Sequence, residues 1–237
     1  MYVETFHVET FHGTSLHIRP QGTSLPRPKK QYPIKMYKKE PYLWIHLAGL
    51  AILPLWLELV WLGLAAGKPI LPVVVELILV AVVGTIPITL MQWARPFDIF
   101  SILILAVQPD QLSEPQRQIL KVFKTAKHRI LTGLGAIALL LTLWLIARYA
   151  PLVAPVTPIT NHWLGLGTAA IAFFASNLFL QVPLSVIAVF LTSNKQLAEF
   201  TPVPPEQITS NYFVPGVRVK KILPALVEEQ EKSVSRA

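Results

Sequence analysis

Residues 42–66, YLWIHLAGLAILPLWLELVWLGLAA, are the stretch that decides the fold of this chain. Apart from His46 and Glu58, the segment is made of apolar, small, aromatic and proline residues. A helix needs about 20 mainly apolar residues to cross the hydrocarbon core of a bilayer. Tyr42 and Trp44 stand at its start, where interfacial aromatic residues are enriched. The sequence therefore predicts a membrane-spanning helix over residues 42–66.

Three further stretches of the same kind follow along the chain, at residues 70–93, 130–150 and 163–192. Pro72 stands in the first turn of the second stretch, where a missing N–H costs little. Together the four stretches predict an all-α, polytopic membrane protein with four transmembrane helices. The membrane domain is expected to cover residues 42–192.

The composition agrees with that class. Hydrophobic residues make up 53% of the chain and charged residues only 14%, with a mean hydropathy of +0.51, whereas soluble domains carry about 25% charged residues. The chain has no cysteine, which excludes disulfides, thiolate metal sites and a cysteine nucleophile. A net charge of +8 can indicate nucleic-acid binding. Because the basic residues flank apolar segments, we interpret them as topology signals instead and predict no nucleic-acid partner.

Lysine and arginine are distributed asymmetrically. Residues 1–41 carry seven of them, and residues 95–129 and the tail 193–237 carry six each. The two remaining connections hold only Lys68 and Arg148. The positive-inside rule then places both termini and residues 95–129 on the cytoplasmic side.

The ends of the chain differ from its middle. VETFH at residues 3–7 is repeated at once, and GTSL at 13–16 recurs at 22–25. Perfect short repeats are typical of duplicated DNA, so we predict a disordered extension over residues 1–41, with translation starting at Met36. The proline-rich and charged tail 193–237 is predicted to be mostly disordered.

A cytoplasmic-side interfacial segment, residues 97–128, joins the second and third spans. Residues 97–108 are apolar but too few to cross, which is typical of an interfacial, re-entrant or buried piece; we favour an interfacial or re-entrant one. Ser113 and Gln116 form a capping-box pattern that opens a helix. One side of that helix is apolar, and the other carries Arg117, Lys121, Lys124 and Lys127. The pattern fits a basic amphipathic helix on the membrane surface and a solvated helix leading into the next span equally well.

Two carboxylates, Glu58 and Glu76, lie inside predicted spans. Each follows a proline by four residues, and Gly67 lies nine residues from both. If Gly67-Lys68-Pro69 forms a tight turn, the two carboxylates lie at similar depth in a helical hairpin. Ionisable residues within spans are expensive to bury and are functional candidates. A pair could share a proton or bind a cation; alternatively, each only contributes to packing or to a partner contact, which we favour.

Other polar residues fall within the spans. His46 could bind a pigment or metal as a single axial ligand, but an interfacial role is favoured, since no second ligand stands three or four residues away. Asn177, Gln181 and Ser185 recur every four residues and form one stripe, predicted to be a helix-packing face. No phosphate-binding loop, nucleophile elbow or zinc-protease helix is present. We therefore predict no enzyme activity, no cofactor and no metal site.

The stretches EPYLWIHLAGLAILPLWLELVWLGLAAGKP and QWARPFDIFSILILAVQPDQLSEPQRQILKVFK resemble the cyanobacterial low-complexity tail membrane protein family, over roughly residues 40–195. The resemblance implies a multi-span protein of cyanobacterial membranes, thylakoid or cytoplasmic, followed by a variable polar tail. It assigns no catalytic residue. Residues 1–35 have no counterpart in it, in keeping with a start at Met36.

Two functional hypotheses follow. The first is a non-enzymatic scaffold or assembly protein that contacts the lipid bilayer and subunits of a larger, photosynthetic membrane complex. The second is a small transporter or proton or cation carrier built around Glu58 and Glu76. The two differ in whether the glutamates face each other beside a polar cavity.

Overall fold

The computed structural model describes residues 37–102 and 104–223. Four helices are long and apolar enough to cross a membrane: Pro41–Leu64, Val73–Ala94, Ala126–Leu152 and His162–Leu191. The predicted all-α, four-span class is therefore confirmed. The predicted N-terminal extension up to Met36, including that translation start, lies outside the described residues, as does the tail beyond Leu223.

The first span consists of α1 (Pro41–Ala48) and α2 (Leu53–Leu64), joined by a tighter 3₁₀ turn over Gly49–Ile52. Pro54 explains the interruption, because it has no N–H for the carbonyl four residues earlier and its ring crowds the preceding turn. The span therefore crosses as two helical pieces.

The second span, α3, covers Val73–Ala94, and the tight turn predicted before it is replaced by an irregular connection over residues 65–72. Pro69 and Pro72 account for the difference, because the residue before a proline is driven out of the helical region. Gly67 adopts a φ of 64° within this connection, a left-handed conformation that favours glycine. The helix consequently begins three residues later than predicted.

The fourth span is the central helix of the membrane domain. α6 (His162–Leu191) packs against α2, α3 and α5 (Ala126–Tyr149), and α5 continues into a 3₁₀ turn over Ala150–Leu152. A Cβ added to Gly63 would lie 2.6 Å from the carbonyl oxygen of Gly165. The α2–α6 crossing therefore depends on two facing glycines, as small-residue helix contacts in membranes do.

Residues 37–40, 95–102, 104–125 and 192–223 pack together at one end of the spans, and we call this part of the chain the cap. β1 (Ser101–Ile102) and β2 (Leu105–Val107) pair antiparallel, and β3 (Val217–Val219) joins β2 in parallel. Three helices complete it: α4 (Glu114–Val122), α7 (Asn194–Glu199) and α8 (Pro205–Asn211). The cap shares one apolar core with the adjoining ends of α1 and α6. That core includes Tyr37, Phe100, Leu120, Phe123 and Tyr212 of the cap with Leu43 of α1 and Val189 of α6.

Two regions of the cap differ from the sequence predictions. Residues 97–108 are not an interfacial or re-entrant piece: they contain β1 and β2, and Ile99, Phe100 and Ala106 are buried in protein. Residues 193–223 contain α7, α8 and β3 instead of a disordered chain. The same cause explains both differences. Apolar residues of the two regions are buried in one core, and Val107 of β2 pairs with Val219 of β3.

Candidate functional site

A carboxylate–imidazole pair lies at the end of the membrane domain opposite the cap. Oε1 of Glu76, in the first turn of α3, is 2.8 Å from Nε2 of His162, the first residue of α6. The same oxygen accepts hydrogen bonds from the backbone N–H groups of Ile70 and Leu71, at 3.2 and 3.0 Å. Nδ1 of His162 lies 2.7 Å from the carbonyl oxygen of Ala66. The pair therefore fastens the 65–72 connection to α6.

The hydrogen-bond directions determine the chemistry of this pair. A carbonyl oxygen only accepts, so Nδ1 of His162 carries a proton. One further proton belongs to the pair and lies between Nε2 of His162 and Oε1 of Glu76. Two backbone N–H donors on Oε1 favour the carboxylate form of Glu76. The hydrogen bonds therefore fit an ionised Glu76 beside a protonated His162 better than a neutral pair. Removing either partner leaves the other buried without compensation.

Glu58 has a different environment. Its side chain is exposed on the surface of α2 and makes no hydrogen bond or ion pair with the described residues. It lines an open groove of about 520 Å³, formed by the end of α2, α5 and the segment after α5. The other residues of the groove are almost all apolar: Pro54, Leu57, Trp61, Leu62, Ile146, Val153 and Val156. The groove thus combines one carboxylate with an apolar wall.

The two glutamates do not share a site. Glu76 contacts Ile70, Leu71 and His162, and none of these residues lines the groove of Glu58. Their predicted symmetry about Gly67 is wrong, because residues 65–72 are not helical. Glu58 is six residues from the end of α2, whereas Glu76 is three residues from the start of α3, about 9 and 5 Å at 1.5 Å per residue.

The predicted stripe on α6 lies in the helix interface. Asn177, Gln181 and Ser185 are all buried. The side-chain amide of Gln181 donates to Oγ1 of Thr89 on α3, at 3.1 Å, and to Oδ1 of Asn177, at 3.3 Å. The donors of the stripe therefore find partners on their own or a neighbouring helix, as expected for polar residues between membrane helices, whereas Oε1 of Gln181 has no partner among the described residues.

Sequence reasoning missed His128, which is fully buried in the first turn of α5. Its Nε2 lies 2.8 Å from Oγ of Ser185, and that hydroxyl donates to the carbonyl oxygen of Gln181. The hydroxyl must therefore accept, which puts the proton of His128 on Nε2 and leaves Nδ1 without a partner among the described residues. In the sequence, His128 lies between Lys127 and Arg129, in a segment that the basic residues mark as polar and solvent-facing.

His46 is half-buried near the cap. Its Nδ1 is 2.8 Å from the carbonyl oxygen of Tyr42, one turn earlier, and its ring meets Phe97 of the cap edge-on. Across the described residues, no group of three or more histidine or acidic residues could hold a metal ion. These contacts leave His46 in a packing position between α1 and the cap.

The four basic residues predicted on one helix are divided between two. α4 ends at Val122 and has the predicted capping box of Ser113 and Gln116, whereas Lys127 belongs to α5. The apolar side of α4, with Ile119 and Leu120, is buried in the cap. α4 therefore offers no apolar face to lipid, and the membrane-surface helix is replaced by a helix packed on protein.

Two of the basic side chains of α4 and the turn after it have partners in the chain, and these partners differ. Arg117 donates to the carbonyl oxygen of Val203, and Lys121 is exposed. Nζ of Lys124 donates to the carbonyl oxygen of Ala94, at 2.8 Å, and lies 5.4 Å from the ring centroid of Tyr212. Lys124 thus joins the end of α3 to the cap.

Asp98 is a buried acid of the cap that sequence reasoning did not single out. Oδ1 accepts from the N–H of Phe100 at 3.0 Å, and Oδ2 has no partner within the described ranges. Burial raises the pKa of Asp98 to about 6, although the Phe100 hydrogen bond opposes that shift. Burial and the charge of Asp98 also raise the pKa of Tyr212, whose hydroxyl donates to the carbonyl oxygen of Leu120. The sequence signal for this buried acid was that Asp98 is a single acidic residue within the apolar block 97–108.

Four apolar helices around buried polar contacts define a polytopic membrane protein. Residues 39–224 match the family model described as Low-complexity tail membrane protein-like, so the chain belongs to that family. The matched range includes all four spans and the described cap as far as β3. No curated protein and no solved structure matches the chain.

Proposed function

We propose that this protein is a non-enzymatic scaffold or assembly protein, and that the groove of Glu58 binds a transmembrane helix of a partner subunit. The resemblance noted above supports a cyanobacterial setting, with a thylakoid complex as the partner. The excess of lysine and arginine at the cap end supports a cytoplasmic, or stroma-like, location for the cap and both termini.

One observation carries the proposal: Glu58 is an ionisable residue on an outward surface of a span, without a partner in the described chain. On insertion scales an acidic side chain costs about 2.5–3.5 kcal/mol at the centre of a membrane helix, which is an upper bound for Glu58, six residues from the end of α2. Glu76 offsets that cost within the chain, through His162 and two backbone N–H groups. Glu58 has no such compensation, so a donor from outside the chain is expected.

The groove indicates what kind of partner fits. Apart from Glu58, its wall is apolar and consists mainly of aliphatic side chains, with Pro54 and Trp61 among them. A membrane helix with an apolar face would fill it, and one lysine, arginine or hydroxyl donor on that face would meet Glu58. Hydrogen bonds between membrane helices contribute about 0.6–2 kcal/mol each, and a charged pair adds specificity for the partner.

The carrier hypothesis depended on Glu58 and Glu76 acting together. The contacts of Glu76 and the lining of the Glu58 groove have no residue in common. The side-chain donors of Asn177, Gln181 and Ser185 are engaged in hydrogen bonds within α6 or with α3. These observations support binding over transport.

The proposal is tested by purifying the tagged protein from its native membrane in mild detergent. We expect the wild type to migrate with a larger complex, and Glu58→Leu to release the protein from that complex while leaving it folded. Leu141→Ala is the matched control, because Leu141 is an exposed residue of α5 outside the groove. Migration of the wild type solely as a free protein, or an unchanged complex in Glu58→Leu, would contradict the proposal.

A further inference from the structure

A second open cleft lies in the cap, beside the ends of the spans. It measures about 390 Å³ and lies between the end of α4, the segment before α8, and α8 itself. Lys121, Lys124, Gln207 and Asn211 are among the residues that line it. The ring of Tyr212 lies against Lys124. The cleft therefore presents hydrogen-bond donors, two of them charged.

More positive charge surrounds the cleft. Partial burial lowers the pKa of Lys124, and the nearby charges of Arg129, Arg95 and Lys121 lower it further. None of these four cations forms an ion pair with another described residue. Arg95 donates to the carbonyl oxygens of Thr209 and Tyr212, and so is fixed beside α8. Four cations gathered without a neutralising carboxylate repel one another, and an anion placed among them would relieve that repulsion.

We propose that this cleft binds the phosphate group of an anionic phospholipid headgroup. A phosphate oxygen accepts charge-assisted hydrogen bonds from lysine and arginine, and the amides of Gln207 and Asn211 supply neutral donors at the same cleft. The proposal is independent of the groove of Glu58, which lies at the other end of α2 and α5.

The position of the cleft selects lipid over a soluble phosphate compound. Lys124 bonds to Ala94, the last residue of α3, and precedes the start of α5 by two residues. Arg129 lies in the first turns of α5 and is exposed. Headgroups lie immediately outside the hydrocarbon that the spans cross, and basic residues at this level attract anionic lipids. A headgroup in the same bilayer can therefore reach the cleft.

The test is native mass spectrometry of the purified protein with phosphatidylglycerol and phosphatidylcholine. We expect phosphatidylglycerol to bind preferentially, and Lys121→Gln to weaken it about fivefold, since one basic residue contributes about 1 kcal/mol. Lys121→Gln/Lys124→Gln should weaken it further. Lys121 makes no hydrogen bond within the described residues, so Lys121→Gln should fold normally, which thermal unfolding in phosphatidylcholine nanodiscs verifies.

Lys127→Gln is the matched control, because Lys127 is exposed nearby but does not line the cleft. It should retain the preference for phosphatidylglycerol. Equal loss in Lys127→Gln, or no preference in the wild type, would overturn the site. Inorganic phosphate and glycerol 3-phosphate, added to protein in phosphatidylcholine nanodiscs, test the soluble source. If either binds through Lys121 and Lys124 and excludes phosphatidylglycerol, the assignment to lipid is wrong.

Discussion

Nε2 of His162 lies 2.8 Å from Oε1 of Glu76, a contact between residues 86 positions apart in the chain. It connects the start of α3 to the start of α6 and, through Ala66, to the end of α2. Glu58 on α2 is the opposite case, because its carboxylate has no hydrogen-bond or ion-pair partner in the described chain. Two carboxylates of similar sequence context thus have opposite environments, and this difference can be measured.

Replacing Glu76 should destabilise the membrane domain. Glu76→Gln keeps an acceptor for Ile70 and Leu71 but removes the charge that His162 faces, and the expected loss is about 1–3 kcal/mol in the free energy of unfolding. Thermal unfolding in detergent measures it. Glu58→Gln is the matched control and should leave the purified chain at least as stable, because no described residue depends on that carboxylate. Equal losses in the two variants would refute the different environments of the glutamates.

A methyl group at Gly165 should separate α2 from α6. An added Cβ there would collide with Ala66 and with the carbonyl oxygen of Gly63, and overpacking of this kind costs about 1–3 kcal/mol. Gly167→Ala is the control in the same helix, because its Cβ would meet nothing within 4 Å, and it should be neutral or slightly stabilising. Unfolding temperatures in detergent compare them. If Gly165→Ala is as stable as Gly167→Ala, the two helices do not cross as described.

Ser185→Ala should destabilise the α5–α6 contact. The serine hydroxyl is the partner of His128 Nε2, and without it both ring nitrogens would be buried unpaired, at a cost of about 1–3 kcal/mol. Thr142→Ala serves as the control, since Thr142 is only half-buried on α5 and its hydroxyl bonds to the carbonyl oxygen of Ala138 in its own helix. Chemical denaturation in mixed micelles should rank the serine variant well below the threonine variant, and the reverse order would count against this contact.

The contribution of Asp98 to stability should fall as pH rises from about 4 to about 6. The pKa of Asp98 is raised to about 6 by burial, so the folded state holds a proton that the unfolded chain has released, and its contribution is lost through this window. The shift corresponds to about 3 kcal/mol, at about 1.4 kcal/mol per pKa unit. Asp98→Asn should flatten this part of the pH profile of the unfolding temperature, whereas Asp110→Asn, at an exposed carboxylate, should not. An unaltered profile in Asp98→Asn would contradict the origin assigned to it.

The sequence predicts the spans well because hydrophobic length is a local property. All four predicted spans begin and end within four residues of the observed helices, and the α6 stripe lies in the interface. The capping box of Ser113 and Gln116 is equally local and is also confirmed. Each of these features is decided by residues close together in the chain.

The cap and the Glu76–His162 contact escaped prediction because they join distant residues. β2 pairs with β3, whose Val219 is 112 positions from Val107, and neither strand exceeds three residues. Strands this short leave too weak an alternation to recognise. His162 looked like the end of a linker, although Asn161 before it caps α6 by accepting from Leu164. This N-capping asparagine was the local signal for where the helix begins.

The central proposal, that the groove of Glu58 binds a partner helix, is tested most directly by photo-crosslinking in the native membrane. A photo-reactive amino acid at position 62, in the groove, should attach to one membrane protein, at a transmembrane helix that carries a basic or hydroxyl side chain near the attachment point. The product should disappear in Glu58→Leu, and the same probe at position 141 should not form it. Products containing only lipid, or a protein product that persists unchanged in Glu58→Leu, would contradict the proposal.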